Sequence, residues 1–186
     1  PSELLDDLIN NHEEKVFSLV GKRFLGLKLL RENLGDANID FLQTGGFEIF
    51  GKEDNELYER CIEKLDYLNE QIFKTTGIQN CFRKADEKIA AFGFANVEHI
   101  IESTAEGQVN TGKMMAELLR QVQSLGVVIL NATEVKSFET TSNGVVLNCN
   151  NFELKTKKLL AATNGFAKQL LPELDVKPAR AQVFIT

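Results

Sequence analysis

The sequence predicts a mixed α/β fold in which an antiparallel meander interrupts a series of helices and buried strands. Three observations support this prediction. A helical pattern over Thr111 to Leu125 passes directly into the apolar run Val127 to Leu130. Two strand patterns flank Asn143-Gly144, a pair typical of a tight hairpin turn. Another apolar run, Leu159 to Ala162, leads through a polar turn into a short helical pattern.

Composition excludes several classes of protein. The chain has 186 residues, of which 43% are hydrophobic and 26% charged, as in ordinary soluble globular proteins. Its formal net charge is −6, and no basic cluster interrupts the acidic background, so we expect no nucleic-acid partner. No apolar run approaches the roughly 20 residues that span a bilayer, and we expect no membrane span and a cytoplasmic location.

Helical patterns dominate the first half of the chain. Ser2 can cap a helix, and apolar residues recur at helical spacing to Leu34, where Gly35 suits a helix end. Gly21 and Gly26 are candidate breaks within this run. The remaining predicted elements of this half are strands over Ile39 to Gln43 and Phe47 to Phe50, a helix over Asn55 to Thr75 ended by Gly77, a short helix over Ala85 to Ala91, and a strand over Val97 to Ile101.

The second half has clearer signals. The helix over Thr111 to Leu125 ends at Gly126, and the continuous apolar run after it predicts a strand buried on both faces in a parallel sheet. The meander is predicted as Val135 to Thr140, Val145 to Cys149 and Phe152 to Lys155, with a type I′ turn at Asn143-Gly144. Leu159 to Ala162 is a further buried-strand prediction, and Gly165 to Leu171 a short helix.

Most of the potentially reactive residues are predicted to have structural roles rather than catalytic or metal-binding ones. The two histidines, His12 and His99, lie far apart without a second ligand at metal spacing, so we predict no metal site. Three cysteines without CxxC spacing fit reduced, structural thiols. Paired acids such as Asp86-Glu87 fit solvated faces. The sequence contains no GxSxG elbow, P-loop or HExxH.

The most informative segment is the polar turn after the second apolar run, Thr163-Asn164-Gly165. A strand end followed by a helix start presents backbone N–H groups and a positive dipole end, which favour an anion such as pyrophosphate. Gly165 permits close backbone approach. Taken alone, the segment is better explained as a structural turn, since such turns occur in every α/β protein.

The order of several motifs resembles that of flavoprotein oxidases related to glycine oxidase, sarcosine oxidase and D-amino-acid oxidase. None of the motifs is specific alone, but all occur in the family's order, and the resemblance is strongest from Glu106 onward. The motifs are Glu106-Gly107-Gln108-Val109-Asn110, Gly126-Val127-Val128-Ile129-Leu130, Thr133-Glu134-Val135, Leu160-Ala161-Ala162-Thr163-Asn164-Gly165 and Pro178-Ala179-Arg180-Ala181-Gln182.

The resemblance implies FAD as cofactor and assigns residues to it. Val135 matches the residue whose backbone contacts the adenine end of FAD. Thr163, Asn164 and Gly165 match a turn near the ribose and pyrophosphate. Arg180 and Gln182 match the start of the substrate-domain sheet, where a structural role is as well supported as ligand contact.

Two positions depart from the family's pattern. Thr111 replaces the family's usual Pro, and Thr can cap a helix in its place. Ala181 replaces the usual Gly, which marks either a divergent member or a different backbone near the flavin.

The family's GxGxxG turn is absent from the sequence, which also begins at Pro1. We therefore expect an internal segment of a longer enzyme that binds FAD weakly or not at all by itself, carries no identifiable catalytic residue and can self-associate through uncovered apolar surface. The expected division is a helical and short-strand region over 1–105, partly substrate or cap domain, part of the FAD-binding domain over 106–175, and the start of a substrate-domain strand over 176–186.

The resemblance implies a small-molecule substrate and a parent enzyme that oxidises an amine or amino acid by hydride transfer to the flavin. A 2-hydroxy-acid dehydrogenase of the same family is an alternative reaction. A non-enzymatic α/β binding or interaction module is an alternative of a different class.

Overall fold

The computed structural model describes residues 1–179. It is a mixed helix and strand structure that divides into two compact units, Pro1–Val127 and Val128–Thr186. Arg180 and Gln182, which were predicted to lie at the start of the substrate-domain sheet, are outside the described residues.

The first unit consists of six helices and a three-stranded antiparallel sheet within its described residues. The sheet has the order β1-β3-β2, with Phe50 of β1 opposite His99 of β3. The elements are α1 (Ser2–Asn10), α2 (Glu13–Leu34), β1 (Gly46–Phe50), α3 (Asn55–Glu63), α4 (Leu65–Thr76), β2 (Phe82–Lys84), α5 (Ile89–Phe92), β3 (His99–Ser103) and α6 (Thr111–Ser124), with 3₁₀ turns at Asp36–Asn38, Lys52–Asp54 and Asp86–Lys88.

One face of this sheet carries the core. Phe50 and Ile101 pack there against Leu5, Cys61 and Leu68 of helices α1, α3 and α4. Because successive strand residues point to opposite faces, Phe47 and Ile49 of β1 lie on the other face, where both are exposed. Helices α1 to α4 therefore gain their stability from one shared apolar cluster rather than from propensity alone.

Glycine does not break α2, contrary to the prediction. The chain breaks instead at Asn11 and His12, and α2 continues through Gly21 and Gly26. A Cβ on Gly21 would lie 2.9 Å from Cγ2 of Thr75 on α4, so glycine at this position lets α2 and α4 approach closely. Tertiary packing here outweighs the low helix propensity of glycine.

Other boundaries in this unit are partly confirmed. Gly35 and Gly77 end their helices with positive φ, as predicted, but Lys64 divides the predicted 55–75 helix in two. The predicted strand over 39–43 is wrong, because Leu42 makes only an isolated bridge with Gln108. Asp40, with a φ of 50°, turns the chain within that stretch.

The second unit is built on the predicted meander. Strands β4 (Val135–Thr141), β5 (Gly144–Cys149) and β6 (Glu153–Thr156) pair antiparallel in sequence order. The type I′ turn is wrong: of its residues only Gly144 has positive φ, and the Thr141 hydroxyl accepts a hydrogen bond from the Asn143 N–H at 3.3 Å. This side-chain bond stabilises a different turn.

The two apolar runs do not form the predicted buried strands. Residues 127–130 and 159–162 have no strand assignment, and Val128 and Leu160 expose 80% and 88% of their surface. A parallel strand needs hydrogen-bonding neighbours, and both sheets within residues 1–179 are antiparallel. These two segments are hydrophobic, but without hydrogen-bonding neighbours they do not form strands.

Candidate cofactor site

A cleft of about 600 Å³ opens in the second unit between the start of β4 and the segment that follows β6. Two residues predicted to bind FAD, Val135 and Thr163, line it together. The other lining groups combine apolar side chains, such as Phe166, with polar ones, such as Gln169. This size and mixture are typical of clefts that bind small molecules and cofactors.

Val135 lies beside an irregularity at the start of β4. It pairs with Cys149, and the register then shifts between Val135 and Ser137. Such a bulge leaves one residue out of the ladder and increases the local twist. The half-buried Val135 and its neighbours Glu134 and Lys136 all line the cleft.

Of the three residues of the polar turn, only Thr163 lines the cleft, and the turn does not follow a strand as predicted. Thr163 precedes a six-residue 3₁₀ helix over Asn164–Gln169, which replaces the predicted helix from Gly165 to Leu171. The N–H of Phe166 donates to the Thr163 carbonyl at 3.0 Å. A helix this short supplies little dipole, so the expected anion site at a helix N-terminus has no support here.

Asn164 and Gly165 adjoin the cleft without lining it. Asn164 has a φ of 48°, a conformation that Asn tolerates better than most residues. A Cβ on Gly165 would lie 2.9 Å from Cβ of Pro178. Close packing on Pro178 therefore explains why position 165 is occupied by glycine.

Sequence reasoning missed Phe166 and Gln169, which line the same cleft. Phe166 exposes 64% of its surface, whereas a single Phe at a helix start is usually interpreted as a core residue. Its position directly after the Thr163-Asn164-Gly165 turn was the one available signal.

The first unit contains a separate charged cluster on its sheet. The buried carboxylate of Glu102 accepts hydrogen bonds from Arg83 Nε at 2.6 Å and Lys88 Nζ at 2.8 Å. The bonds from Arg83 and Lys88 lower the pKa of Glu102. The cluster joins β2, β3 and the turn before α5.

A second polar contact in this unit involves an acid that was predicted to lie on a solvated face. Asp86 binds Nδ1 of His99 at 2.9 Å and accepts the Ile100 N–H at 2.7 Å. Burial raises the pKa of Asp86, but the hydrogen bonds from His99 and Ile100 outweigh it, so the pKa is lowered. The Tyr58 ring stacks on His99 with centroids 3.8 Å apart. These contacts hold the start of β3 in place.

Within residues 1–179, no three histidine, cysteine or acidic side chains lie close enough together to hold a metal ion. Over the same residues, no helix combines the length and apolar character needed to cross a bilayer.

Comparison with solved structures shows the fold. Glycine oxidase from Bacillus cereus ATCC 14579 matches with a TM-score of 0.64 and 17% identity, over 87% of this chain and 45% of that one. L-proline dehydrogenase from P. horikoshii matches with a TM-score of 0.58 and 22% identity, over 82% and 40%. Iminodiacetate oxidase from Chelativorans sp. BNC1 matches with a TM-score of 0.57 and 16% identity, over 85% and 42%.

The chain thus spans less than half the length of these solved structures. No curated protein sequence matches it. The family profile described as "DAO: FAD dependent oxidoreductase" matches residues 9–186, which is nearly the whole sequence. The chain belongs to the DAO family of FAD-dependent oxidoreductases.

Proposed function

We propose that this chain is part of a flavoenzyme and that the cleft in its second unit receives the adenosine end of FAD. The observation that carries the proposal is that Val135 and Thr163 line the same cleft. These residues are 28 positions apart in the sequence, and their shared role was expected from the family resemblance alone.

The chemistry of the cleft fits this end of the cofactor. Val135, Leu160 and Phe166 supply apolar surface for a heteroaromatic base, and the hydroxyl of Thr163 and the amide of Gln169 supply polar groups for a ribose. When bound, FAD supplies the hydride acceptor. The residues of this chain bind and orient it, and none of them receives a catalytic role.

The proposed substrate is an amine or amino acid whose C–N bond is oxidised. Support comes from the matched structures, which are named for glycine, L-proline and iminodiacetate. The C–O bond of a 2-hydroxy acid is the second choice of substrate.

The proposal also divides the chain by role. Residues 1–105 belong in part to a substrate or cap domain, 106–175 to the FAD-binding domain and 176–186 to the start of a substrate-domain strand. A cytoplasmic location is included because Cys61, Cys81 and Cys149 are all free thiols, as expected in a reducing compartment.

The direct test is to purify the full-length product of the coding sequence that contains this chain and to record its visible spectrum. We expect a stoichiometric flavin band that bleaches without oxygen when an amino acid or amine is added. Bleaching by 2-hydroxy acids alone would assign the other reaction. A folded, colourless protein that takes up no added FAD would contradict the proposal and leave the non-enzymatic binding module.

A further inference from the structure

Phe166 is an exposed aromatic side chain on the wall of the cleft in the second unit. It leaves 64% of its surface uncovered. Exposed apolar residues are common singly and need no explanation by themselves. Phe166 differs because it lines a cleft that Val135, Thr163 and Gln169 also line.

The backbone around Phe166 is fixed on both sides. Its own N–H donates to the Thr163 carbonyl at 3.0 Å, and the N–H of Leu171 donates to the Ala167 carbonyl at 2.9 Å. Ala167, the next residue, is buried, and Gly165, the preceding one, packs closely on Pro178. The ring is therefore attached to an ordered backbone at the edge of the cleft.

We propose that Phe166 is a stacking platform for the adenine ring of the cofactor. This inference rests on the proposed function and adds to it the residue that selects an aromatic base. A purine has a π face that stacks on Phe whatever hydrogen bonds its edge makes. Loss of such a platform weakens binding by about 5- to 150-fold, the range that base–aromatic stacking spans.

The experiment uses the flavin-free full-length protein that contains this chain and two probes. AMP carries the adenine, and FMN carries flavin and phosphate without adenine. Binding is measured by NMR titration with the probe at millimolar concentration, because weak binding is expected. Ring stacking on Phe166 shifts the adenine H2 and H8 resonances upfield, a signal that a merely structural role for Phe166 does not produce.

The test variant is Phe166→Leu, which keeps an apolar side chain but removes the ring, and Phe166→Tyr restores a ring. Phe152→Leu is the matched control, because Phe152 is also exposed, at 44%, in the same unit but does not line the cleft. We expect Phe166→Leu to weaken AMP binding at least fivefold and to abolish the upfield shifts. We also expect Phe166→Tyr to retain both, and FMN binding to be unchanged.

Failure of this inference is distinguishable from failure of the proposed function. If the unsubstituted protein binds AMP and Phe166→Leu binds it equally well, only the stacking role is overturned. If the unsubstituted full-length protein does not bind AMP at millimolar concentration, the cleft itself is not the adenosine site, and both are overturned. Equal weakening by Phe152→Leu would indicate general destabilisation and would also overturn the stacking role.

Discussion

The two units of this chain use their apolar residues in opposite ways. In the first unit, nine buried residues form one continuous cluster. In the second, the buried apolar residues within the described range are Leu147 and Ala167, whereas Val128, Leu130, Leu160 and Phe166 are exposed. The first unit is thus stabilised by its own core, while the second is a hydrogen-bonded meander with much of its apolar surface exposed.

The largest expected change in stability is that of Leu68→Ala in the first unit, and Leu160→Ala in the second unit is its comparison. Leu68→Ala removes a fully buried side chain of α4, with 0% exposure, and should lower the free energy of unfolding by about 2–5 kcal/mol. Leu160→Ala, at 88% exposure, should change it by less than about 0.5 kcal/mol. Urea denaturation followed by circular dichroism measures both. Equal effects would show that the second unit buries Leu160 in solution.

The charged cluster of the first unit predicts a smaller, pH-dependent effect. Glu102→Gln removes the negative charge between Arg83 and Lys88 and should cost about 1–3 kcal/mol near pH 7, the range for a disrupted buried polar contact. The exposed Glu139→Gln in β4 of the second unit is the control.

The sign of this pH dependence follows from the lowered pKa of Glu102. The stabilisation is complete above the unfolded pKa of about 4.3. This stabilisation is lost as the pH falls through the lower pKa that Glu102 has in the folded protein. The difference between parent and Glu102→Gln should therefore shrink in acid, and a difference that grows below about pH 4 would contradict the ion-pair account.

The smallest effect is expected at a glycine inside α2. A Cβ on Gly26 would meet no atom within 4 Å, so Gly26→Ala should stabilise the first unit by about 0.5–1 kcal/mol through helix propensity. Gly21→Ala is the matched comparison, because its Cβ would approach Thr75 at 2.9 Å and should offset this gain. Thermal unfolding of both variants tests whether the packing of α2 requires glycine at position 21 but not at position 26.

Sequence signals that act locally predicted the structure well. The amphipathic stripe of α6, the helix ends at Gly35 and Gly77, and the hairpin signal at Asn143-Gly144 each depend on neighbouring residues. The strands expected at 127–130 and 159–162 failed because a strand also requires a hydrogen-bonding partner. The three-residue β2 was missed because it is too short to show a period.

The candidate site was predictable only through the order of its motifs. Val135 and Thr163 were assigned by resemblance, and their placement in one cleft supports that interpretation while their role stays a prediction. Phe166 was missed because exposure is a property of the folded chain. The tight packing of Gly165 on Pro178 was equally invisible, since no sequence pattern encodes which residue approaches a glycine.

The most direct test of the central claim is photolabelling of the full-length protein with an FAD analogue that carries an azide on its adenine, followed by peptide mass spectrometry. We predict labelled peptides that contain Val135 or residues 159–170, with labelling suppressed by excess FAD. Labelling confined to residues 1–127, or labelling that excess FAD does not suppress, would show that the cleft in the second unit is not where the cofactor binds.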